Sequence, residues 1–319
     1  MNKKTPLFSI IIPVRVETSY LQETLRYLKK QSFKSFEILI ITDKISGPVS
    51  PAIKRNLAAK KARGKYLAFL DDDSYPSINW LKNASKLFTD DLAAICGPCL
   101  TPDQDSVFQK ASGLVWSSLL GSGGAGTYRN SVQKKRYVDD YPSVNLIVSK
   151  KDFIKVNGFN THHWPGEDTI LCFDLVDKLN KKILYHPKIL VYHHRRPVII
   201  PHLQQITRYA LHRGNFARIY PKTSLKIGYL TPSFFFIYLL TLPLHHIFFP
   251  LYLYIFLLLL TFFSFILNYS SIKLSLLATI SIFLTHIYYG ILFIIGFFSK
   301  KLNFIPHKID HLKGRYLGG

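Results

Sequence analysis

The chain of 319 residues contains few cysteines, and their setting does not favour redox chemistry. Three cysteines are too few for the disulfide framework of a small secreted protein. Cys96 and Cys99 form a C-x-x-C pair, but they follow an apolar run and precede a proline-containing loop. A reactive thiolate is usually stabilised at a helix N-terminus. The pattern therefore indicates structural thiols rather than a redox pair.

Acidic residues are also scarce. The chain has 41 Lys and Arg residues against 19 Asp and Glu residues, a net charge of +22. No Asp or Glu occurs from Lys178 to Lys226, a stretch that holds 11 Lys or Arg residues. Such a stretch is one signature of a nucleic-acid-binding surface. Because it leads directly into apolar sequence, it favours membrane lipids with anionic headgroups, and we expect no nucleic-acid partner.

Charged residues are missing from two long segments near the C-terminus. The 46 residues between Lys226 and Lys273 and the 26 between Lys273 and Lys300 contain no Lys, Arg, Asp or Glu. About 20 apolar residues span a bilayer. We therefore predict transmembrane helices at about residues 250–268 and 274–298.

The segment 230–249 is interrupted by Pro232 and Pro243. Proline removes a helical hydrogen bond, which argues against one straight helix from 230 to 267. We expect an interfacial or re-entrant helix at 230–249, with a third membrane span as the alternative.

These segments predict a three-part chain. Residues 1–226 form a large N-terminal domain, 227–299 form the membrane region and 300–319 form a basic tail. Because basic tails remain on the cytoplasmic side, we expect the tail in the cytoplasm. With two spans the N-terminal domain is cytoplasmic as well, in a multi-pass protein of the cell membrane.

Strand-like apolar runs alternate with helical segments in the first 70 residues. We predict strands at 8–13, 36–41 and 66–70, and helices at 18–31 and 50–62. This alternation indicates an α/β domain with a parallel sheet. Ligands of such sheets bind beyond the carboxyl ends of the strands.

Polar residues follow all three predicted strands at that edge. Arg15 follows the first strand, Asp43 the second, and Asp71, Asp72 and Asp73 the third. Clustered carboxylates suit hard divalent cations, which neutralise diphosphates. In isolation, three aspartates also fit a solvated turn or a helix cap, but the convergence of three strands favours a ligand site.

Several segments of the chain share motifs with a known family. The segments FSIIIPVRVE, FEILIITD and RNLAAKKARGKYLAFLDDDSYP resemble the nucleotide-sugar-binding half of the inverting family 2 glycosyltransferases of the GT-A fold. VNLIVSKKDFIKVNGF and GEDTILCFDLVDKLNKKILYHPKILVYHH resemble the acceptor half, and QQITRY resembles the family's Q-x-x-R-W signature with Tyr209 in place of tryptophan. The C-terminal sequence resembles the membrane-attached subgroup that builds extracellular polysaccharides such as succinoglycan.

The resemblance implies a Rossmann-like GT-A domain with a mainly parallel sheet, followed by C-terminal transmembrane helices. Its nucleotide-sugar half lies at about residues 1–100 and its acceptor half at about 101–226. By the same resemblance, the residues that bind the donor are Pro13, Arg15, Glu17, Asp43, Asp71 and Asp72. Asp73 is the implied metal ligand, with His193 as a second metal or diphosphate contact. Val16 stands where the family usually has asparagine.

The resemblance also assigns the acceptor side. Asp168 is the implied general base and Glu167 its neighbour, although paired acids at a helix start also act as plain caps. The residues expected to face the acceptor or the diphosphate are Trp164, Gln205, Arg208 and Tyr209. Arg55 and Lys65 are open between phosphate contacts and solvated surface charge.

The predicted function is therefore transfer of a sugar from a nucleoside diphosphate sugar to a lipid-linked or growing glycan acceptor, with Mn²⁺ or Mg²⁺ as cofactor. A polyprenyl-phosphate glycosyltransferase is the main alternative. A processive synthase is a further enzyme class, for which two spans are few. A catalytically inactive, membrane-anchored protein that binds sugar or lipid is the alternative outside enzymes.

Overall fold

The computed structural model describes residues 5–124, 126–300 and 302. The chain divides into two compact units. The first comprises residues up to Gly97 together with Lys134–Val191, and the second comprises Pro98–Gln133 with residues from Tyr192 to 302. Apart from residues 300 and 302, the predicted basic tail lies outside the described residues.

The strands, in chain order, are β1 (Phe8–Pro13), β2 (Phe36–Ile41), β3 (Tyr66–Phe69), β4 (Ser74–Pro76), β5 (Leu92–Cys96), β6 (Cys99–Leu100), β7 (Arg136–Val138), β8 (Leu146–Ser149), β9 (Lys182–Tyr185) and β10 (Val191–His193). The three strands predicted for the first 70 residues are confirmed as β1, β2 and β3.

The helices are α1 (Ser19–Lys29), α2 (Asp43–Ser46), α3 (Pro51–Lys61), α4 (Trp80–Ala84), α5 (Val107–Ser117), α6 (Leu119–Ser122), α7 (Thr127–Asn130), α8 (Lys150–Lys155), α9 (Glu167–Phe173), α10 (Ile200–Ile219), α11 (Pro221–Ser224), α12 (Ile227–His245), α13 (Phe249–Tyr269) and α14 (Ile272–Phe298). A short 3₁₀ helix at Ser143–Asn145 precedes β8, and a π-helical turn at Asp174–Lys178 follows α9. The predicted helices at 18–31 and 50–62 are confirmed as α1 and α3.

A seven-stranded sheet forms the centre of the first unit, in the order β2-β1-β3-β8-β5-β9-β7. Strand β1 is parallel to β2 and β3, and β5 is parallel to β9. Strand β8 is antiparallel to both of its neighbours, and β7 is antiparallel to β9. The α/β fold class is confirmed, with a sheet that is parallel through β2-β1-β3 and mixed beyond it.

The parallel register brings the carboxyl ends of β1, β2 and β3 to one edge of the sheet, here called the rim. Pro13 pairs with Ile41, and Ile11 pairs with Phe69. Because β8 is antiparallel, its first residue, Leu146, pairs with Phe69 at the same edge. The 3₁₀ helix before β8 therefore also reaches the rim.

Helix α3 covers the sheet with small residues. Ser50 caps its N-terminus by accepting a hydrogen bond from the Ile53 N–H, and Pro51 occupies the first turn. Its buried face includes Ala52, Ala58 and Ala59, whose short side chains allow close approach to the strands. The same face buries Lys54 and Arg55, which therefore need polar partners.

The second unit is built around α14. Residues of α5, α13 and α14, with Val198 from the segment before α10, form one apolar cluster. Its members are Ala111, Leu114, Val115, Val198, Phe265, Leu274, Ala278 and Ile282. Glycines allow α10 to approach α14 closely. A Cβ atom on Gly214 would lie 2.0 Å from the Phe293 carbonyl oxygen, and one on Gly296 would lie 2.2 Å from that of Leu211. These positions cannot carry a larger residue without moving the helices.

Helices α12, α13 and α14 are each long and apolar enough to cross a membrane. Helix α12 continues through both Pro232 and Pro243 and ends at His245. The next residue, His246, has a left-handed φ of 50°. The break before α13 confirms that no straight helix runs from 230 to 267. The choice between an interfacial and a spanning role for residues 230–249 stays a prediction.

Candidate active site

Two buried cations of α3 hold the carboxylates at the rim of the first unit. The Lys54 ammonium donates to the Val14 carbonyl oxygen at 2.7 Å and forms an ion pair with Asp43. Lys54 is 3% exposed. A buried ammonium requires such partners, so the ion pair with Lys54 holds the Asp43 carboxylate in place after β2.

Arg55 joins two parts of the site that are far apart in sequence. Its Nη2 donates to Asp71 Oδ1 at 2.7 Å, and its Nη1 donates to Glu167 Oε1 at 3.0 Å. The guanidinium lies over the Phe159 ring, 5.4 Å from its centroid. Burial acts to lower the pKa of Arg55, but the carboxylates of Asp71, Asp168 and Glu167 outweigh it and raise that pKa.

The sequence allows either a phosphate contact or solvated surface charge for Arg55 and Lys65, and the structure places the two residues differently. Arg55 is 4% exposed and bound to two carboxylates, so it is not solvated surface charge. Lys65 is exposed and lies over the Tyr66 ring. It precedes β3, at the end of the strand opposite the rim, and this position fits surface charge rather than a phosphate contact.

Asp71, Asp72 and Asp73 form a tight turn directly after β3, here called the aspartate turn. Ser74 Oγ accepts from the Asp71 N–H at 3.1 Å and donates to the Asp71 carbonyl oxygen at 2.9 Å. Carboxylate oxygens of Asp71 and Asp73 lie within 4.8 Å of each other. Partly exposed oxygens at this spacing fit a hard divalent cation.

Glu167 and Asp168 begin α9. The preceding Gly166 has φ of 122°, a conformation that side chains rarely adopt, so glycine is required at the entry to this helix. Glu167 is 4% exposed, and Asp168 is partly exposed. Ser143 of the 3₁₀ helix faces Asp168, and hydrogen bonding by its hydroxyl and backbone N–H acts to lower the pKa of Asp168.

Burial makes both of these carboxyl groups harder to ionise. It raises the pKa of Glu167 to about 8, with the neighbouring Asp168 adding to the effect and Arg55 opposing it. Burial also raises the pKa of Asp168, while Arg55 and the Ser143 hydrogen bonds act in the opposite direction. Glu167 Oε2 and Asp168 Oδ1 have no hydrogen-bond partner among the residues that the structure describes. Carboxylates with raised pKa and unmet hydrogen-bonding capacity suit proton transfer.

The remaining predicted residues of the first unit lie at the end of β1, in the loop that follows it and in the segment before α9. Pro13 is buried at the end of β1, and Arg15 and Glu17 are exposed in the loop after it. Trp164 is partly exposed in the segment before α9. The structure thus brings Asp43, the aspartate turn, Glu167 and Asp168 to one rim, while the roles assigned to each stay predictions.

Four predicted residues belong to the second unit. On α10, Gln205 Nε2 donates to Tyr209 Oη at 3.1 Å, and the Tyr209 ring packs edge-on against Trp116. Arg208 is partly exposed on the same helix. His193 ends β10, with Arg195 Nη1 at 3.0 Å from its Nδ1. A metal site that includes His193 stays a prediction.

Sequence reasoning missed Lys54 and Ser143, and it did not foresee the bridging role of Arg55. Spacing offered one signal: Arg55 is three residues after Ala52 and three before Ala58, on the apolar face of a predicted helix. A cation at such a position must find carboxylates in the folded protein. No sequence pattern of this kind indicates Ser143. Its position at the rim depends on β8 running antiparallel to β3.

Part of the sequence that forms the rim matches a known family. Residues 48–156, which contain α3 and the aspartate turn, match the family model described as Glycosyl transferase family 2. The pre-mycofactocin glycosyltransferase of Mycobacterium tuberculosis is 24% identical over 209 residues, 59% of this chain and 43% of that protein. An uncharacterised glycosyltransferase of Rickettsia conorii is 36% identical over 86 residues, 20% of this chain and 14% of that protein.

The chain therefore covers less than half the length of these curated relatives. Among solved structures, the mannosyltransferase PcManGT from Pyrobaculum calidifontis, in complex with GDP-Man and Mn²⁺, is 15% identical, with a TM-score of 0.48 over 66% of this chain and 63% of that chain. The family-model match and the glycosyltransferase relatives support a glycosyltransferase of family 2.

Proposed function

We propose that the protein is a membrane-attached, inverting glycosyltransferase. It would move a sugar from a nucleoside diphosphate sugar to a lipid-linked or growing glycan acceptor in the synthesis of cell-surface polysaccharide or glycoconjugate. The observation that carries the proposal is the Arg55 bridge, which connects Asp71 of the aspartate turn to Glu167 beside Asp168. Glycosyl transfer needs a donor site and an acceptor-activating group next to each other, and the bridge joins candidates for both.

On the donor side, Asp71 would bind the ribose and Asp43 the nucleobase. Asp73 would hold Mn²⁺ or Mg²⁺, with His193 as a second ligand. A cation held there would supply Lewis-acid charge that neutralises the leaving diphosphate. The oxygen-rich aspartate turn supports this assignment, because hard cations prefer carboxylate oxygens.

On the acceptor side, Asp168 would take the proton of the acceptor hydroxyl as a general base. Its raised pKa supports this role, since a base works best when its pKa approaches the working pH. Glu167, fixed by Arg55, would position the acceptor. Gln205, Arg208 and Tyr209 would contact the acceptor or the diphosphate, and Trp164 would stack on an acceptor sugar.

The first test is metal-dependent turnover of the donor. The purified protein is given a panel of UDP- and GDP-sugars with Mn²⁺ or Mg²⁺, and release of the nucleoside diphosphate is measured. Asp73→Ala should abolish turnover and metal-dependent donor binding, whereas Asp90→Ala, at an exposed position outside the rim, should not. Unchanged turnover in EDTA would rule out the metal-dependent mechanism.

A further inference from the structure

An apolar groove lies between three helices of the second unit. Its volume is about 450 Å³, within the range of ligand pockets. It is lined by Leu203 of α10, by Phe236, Leu239 and Leu240 of α12, and by Phe283, Leu284, Ile287 and Tyr288 of α14. The lining is almost wholly apolar, and the groove opens outward: Leu240 is 68% exposed. A hydrocarbon chain suits such a surface.

The groove is bounded at one end by a close helix contact. A Cβ atom on Gly290 would lie 2.4 Å from the Pro232 carbonyl oxygen, so α12 and α14 touch at the backbone there. Ser233 Oγ donates to the Gly290 carbonyl oxygen at 3.1 Å and fixes the contact. One turn further, at Phe236 and Ile287, the two helices line the groove. The packing of α12 against α14 therefore determines the shape of the groove.

The side of the groove on α10 has a polar edge. Thr207 is one turn after Leu203, and its Oγ1 lies 3.3 Å from Tyr288 Oη. The Tyr288 ring lines the groove while its hydroxyl faces α10. Gln205 and Arg208, which are predicted to contact the acceptor, are on the same helix beside Thr207. An apolar groove with a polar edge fits an amphiphile whose headgroup points towards α10.

Charge favours a negative headgroup. Helices α10 to α14 contain no Asp or Glu. On α10, Arg208 is partly exposed and follows Thr207 directly, so its positive charge favours a phosphate at this edge of the groove.

We propose that this groove holds the hydrocarbon chain of the lipid-linked acceptor, a glycan carried on an isoprenoid phosphate, and presents the phosphate end of that carrier to α10. The inference rests on the proposed function, because it places the acceptor of that reaction. It adds a chain-binding site on α10, α12 and α14 to the carboxylate site of the first unit.

The test uses the full chain in detergent and a polyprenyl phosphate that carries a photoreactive diazirine on its chain. Crosslinks are mapped by mass spectrometry. The expected crosslinks fall on residues 236–240 and 283–288, and excess unlabelled polyprenyl phosphate removes them while excess phosphatidylglycerol does not. Equal displacement by phosphatidylglycerol would identify a site for bulk lipid and overturn the proposal, as would crosslinks confined to other segments.

Leu240→Trp should fill the groove and weaken labelling by about tenfold or more, a factor typical of steric discrimination in hydrophobic pockets. Leu244→Trp is the matched control, since Leu244 is one turn further on α12, 83% exposed and outside the lining. Leu240→Phe provides a milder second variant, and an unchanged melting temperature shows that the fold is intact. Equal labelling of Leu240→Trp and Leu244→Trp would refute the site.

Donor turnover separates this proposal from the function on which it rests. In the absence of acceptor, Leu240→Trp should release nucleoside diphosphate from the donor, with metal, at the wild-type rate, whereas transfer to the lipid-linked acceptor should fall. Normal turnover without groove labelling would refute the groove alone. Specific labelling in a wild-type protein that never turns over a nucleotide sugar would refute the proposed function, and the acceptor role of the groove with it.

Discussion

Removing the charge of Arg55 is the sharpest test of how the carboxylates at the rim are held together. Arg55→Met keeps much of the side-chain volume but leaves Asp71 and Glu167 without their common partner. Breaking a buried ion pair by removing one member typically costs about 3–5 kcal/mol. For a domain of this size each kcal/mol corresponds to about 2–4 °C, so the melting temperature should fall by roughly 6–20 °C.

The loss of melting temperature in Arg55→Met should increase as pH rises. Without Arg55, burial and mutual repulsion raise the pKa of Glu167 and Asp168 further, because the opposing cation is gone. A carboxyl whose folded pKa is above its unfolded value contributes stability at low pH that is lost as pH rises through the folded pKa. The melting temperature of Arg55→Met should therefore fall further below that of the wild type between pH 5 and pH 8.

The same change should alter catalysis. In the proposed mechanism transfer requires ionised Asp168, so the acidic limb of the pH–rate profile should move to higher pH in Arg55→Met. The control is Arg63→Met: Arg63 pairs with Glu37 at 2.7 Å but its side chain is 57% exposed. Loss of such a surface pair should cost less than about 1 kcal/mol. If Arg55→Met and Arg63→Met show the same melting temperatures and the same pH–rate profiles, the Arg55 bridge does not set the charge state of the site.

Three further predictions concern other groups. Asp168→Asn should lower kcat by about 10²–10⁴-fold with nearly unchanged donor Kd, and Glu167→Gln should do less harm; transfer at the wild-type rate would instead favour a phosphate acceptor that needs no base. Burial lowers the pKa of His202 to about 4, so stability present above pH 6.5 should be lost as pH falls towards 4, by roughly 3 kcal/mol. His202→Gln should flatten this slope in thermal unfolding, and an unchanged slope would refute it. A reporter fused after residue 319 should be cytoplasmic, because the tail is basic; a signal on the opposite side would favour three spans.

Much of the first unit is determined by local sequence. Strands β1, β2 and β3 are apolar runs that each end in polar residues, and parallel pairing sends those ends to one edge. This is why Arg15, Asp43 and the aspartate turn were predictable as a group. The long charge-free runs likewise determined α13 and α14, since few soluble folds accommodate them.

In the predicted membrane region, local sequence rules did not predict the continuity of α12. Two prolines suggested an interrupted segment, yet α12 is continuous through Pro232 and Pro243. Packing explains the difference for Pro232: its carbonyl lies against Gly290 of α14, and neighbouring Ser233 hydrogen-bonds to that helix. Such contacts with a neighbouring helix maintain a helix that proline alone would break.

Tertiary structure alone decided how the carboxylates are connected. Arg55 and Glu167 are separated by 112 residues, and Arg55 and Asp71 by 16. The sequence contains each charge but not their distances, which depend on the packing of α3 on the sheet and on the antiparallel insertion of β8. Burial then gives these contacts their effect, because charges removed from water interact strongly and shift each other's pKa.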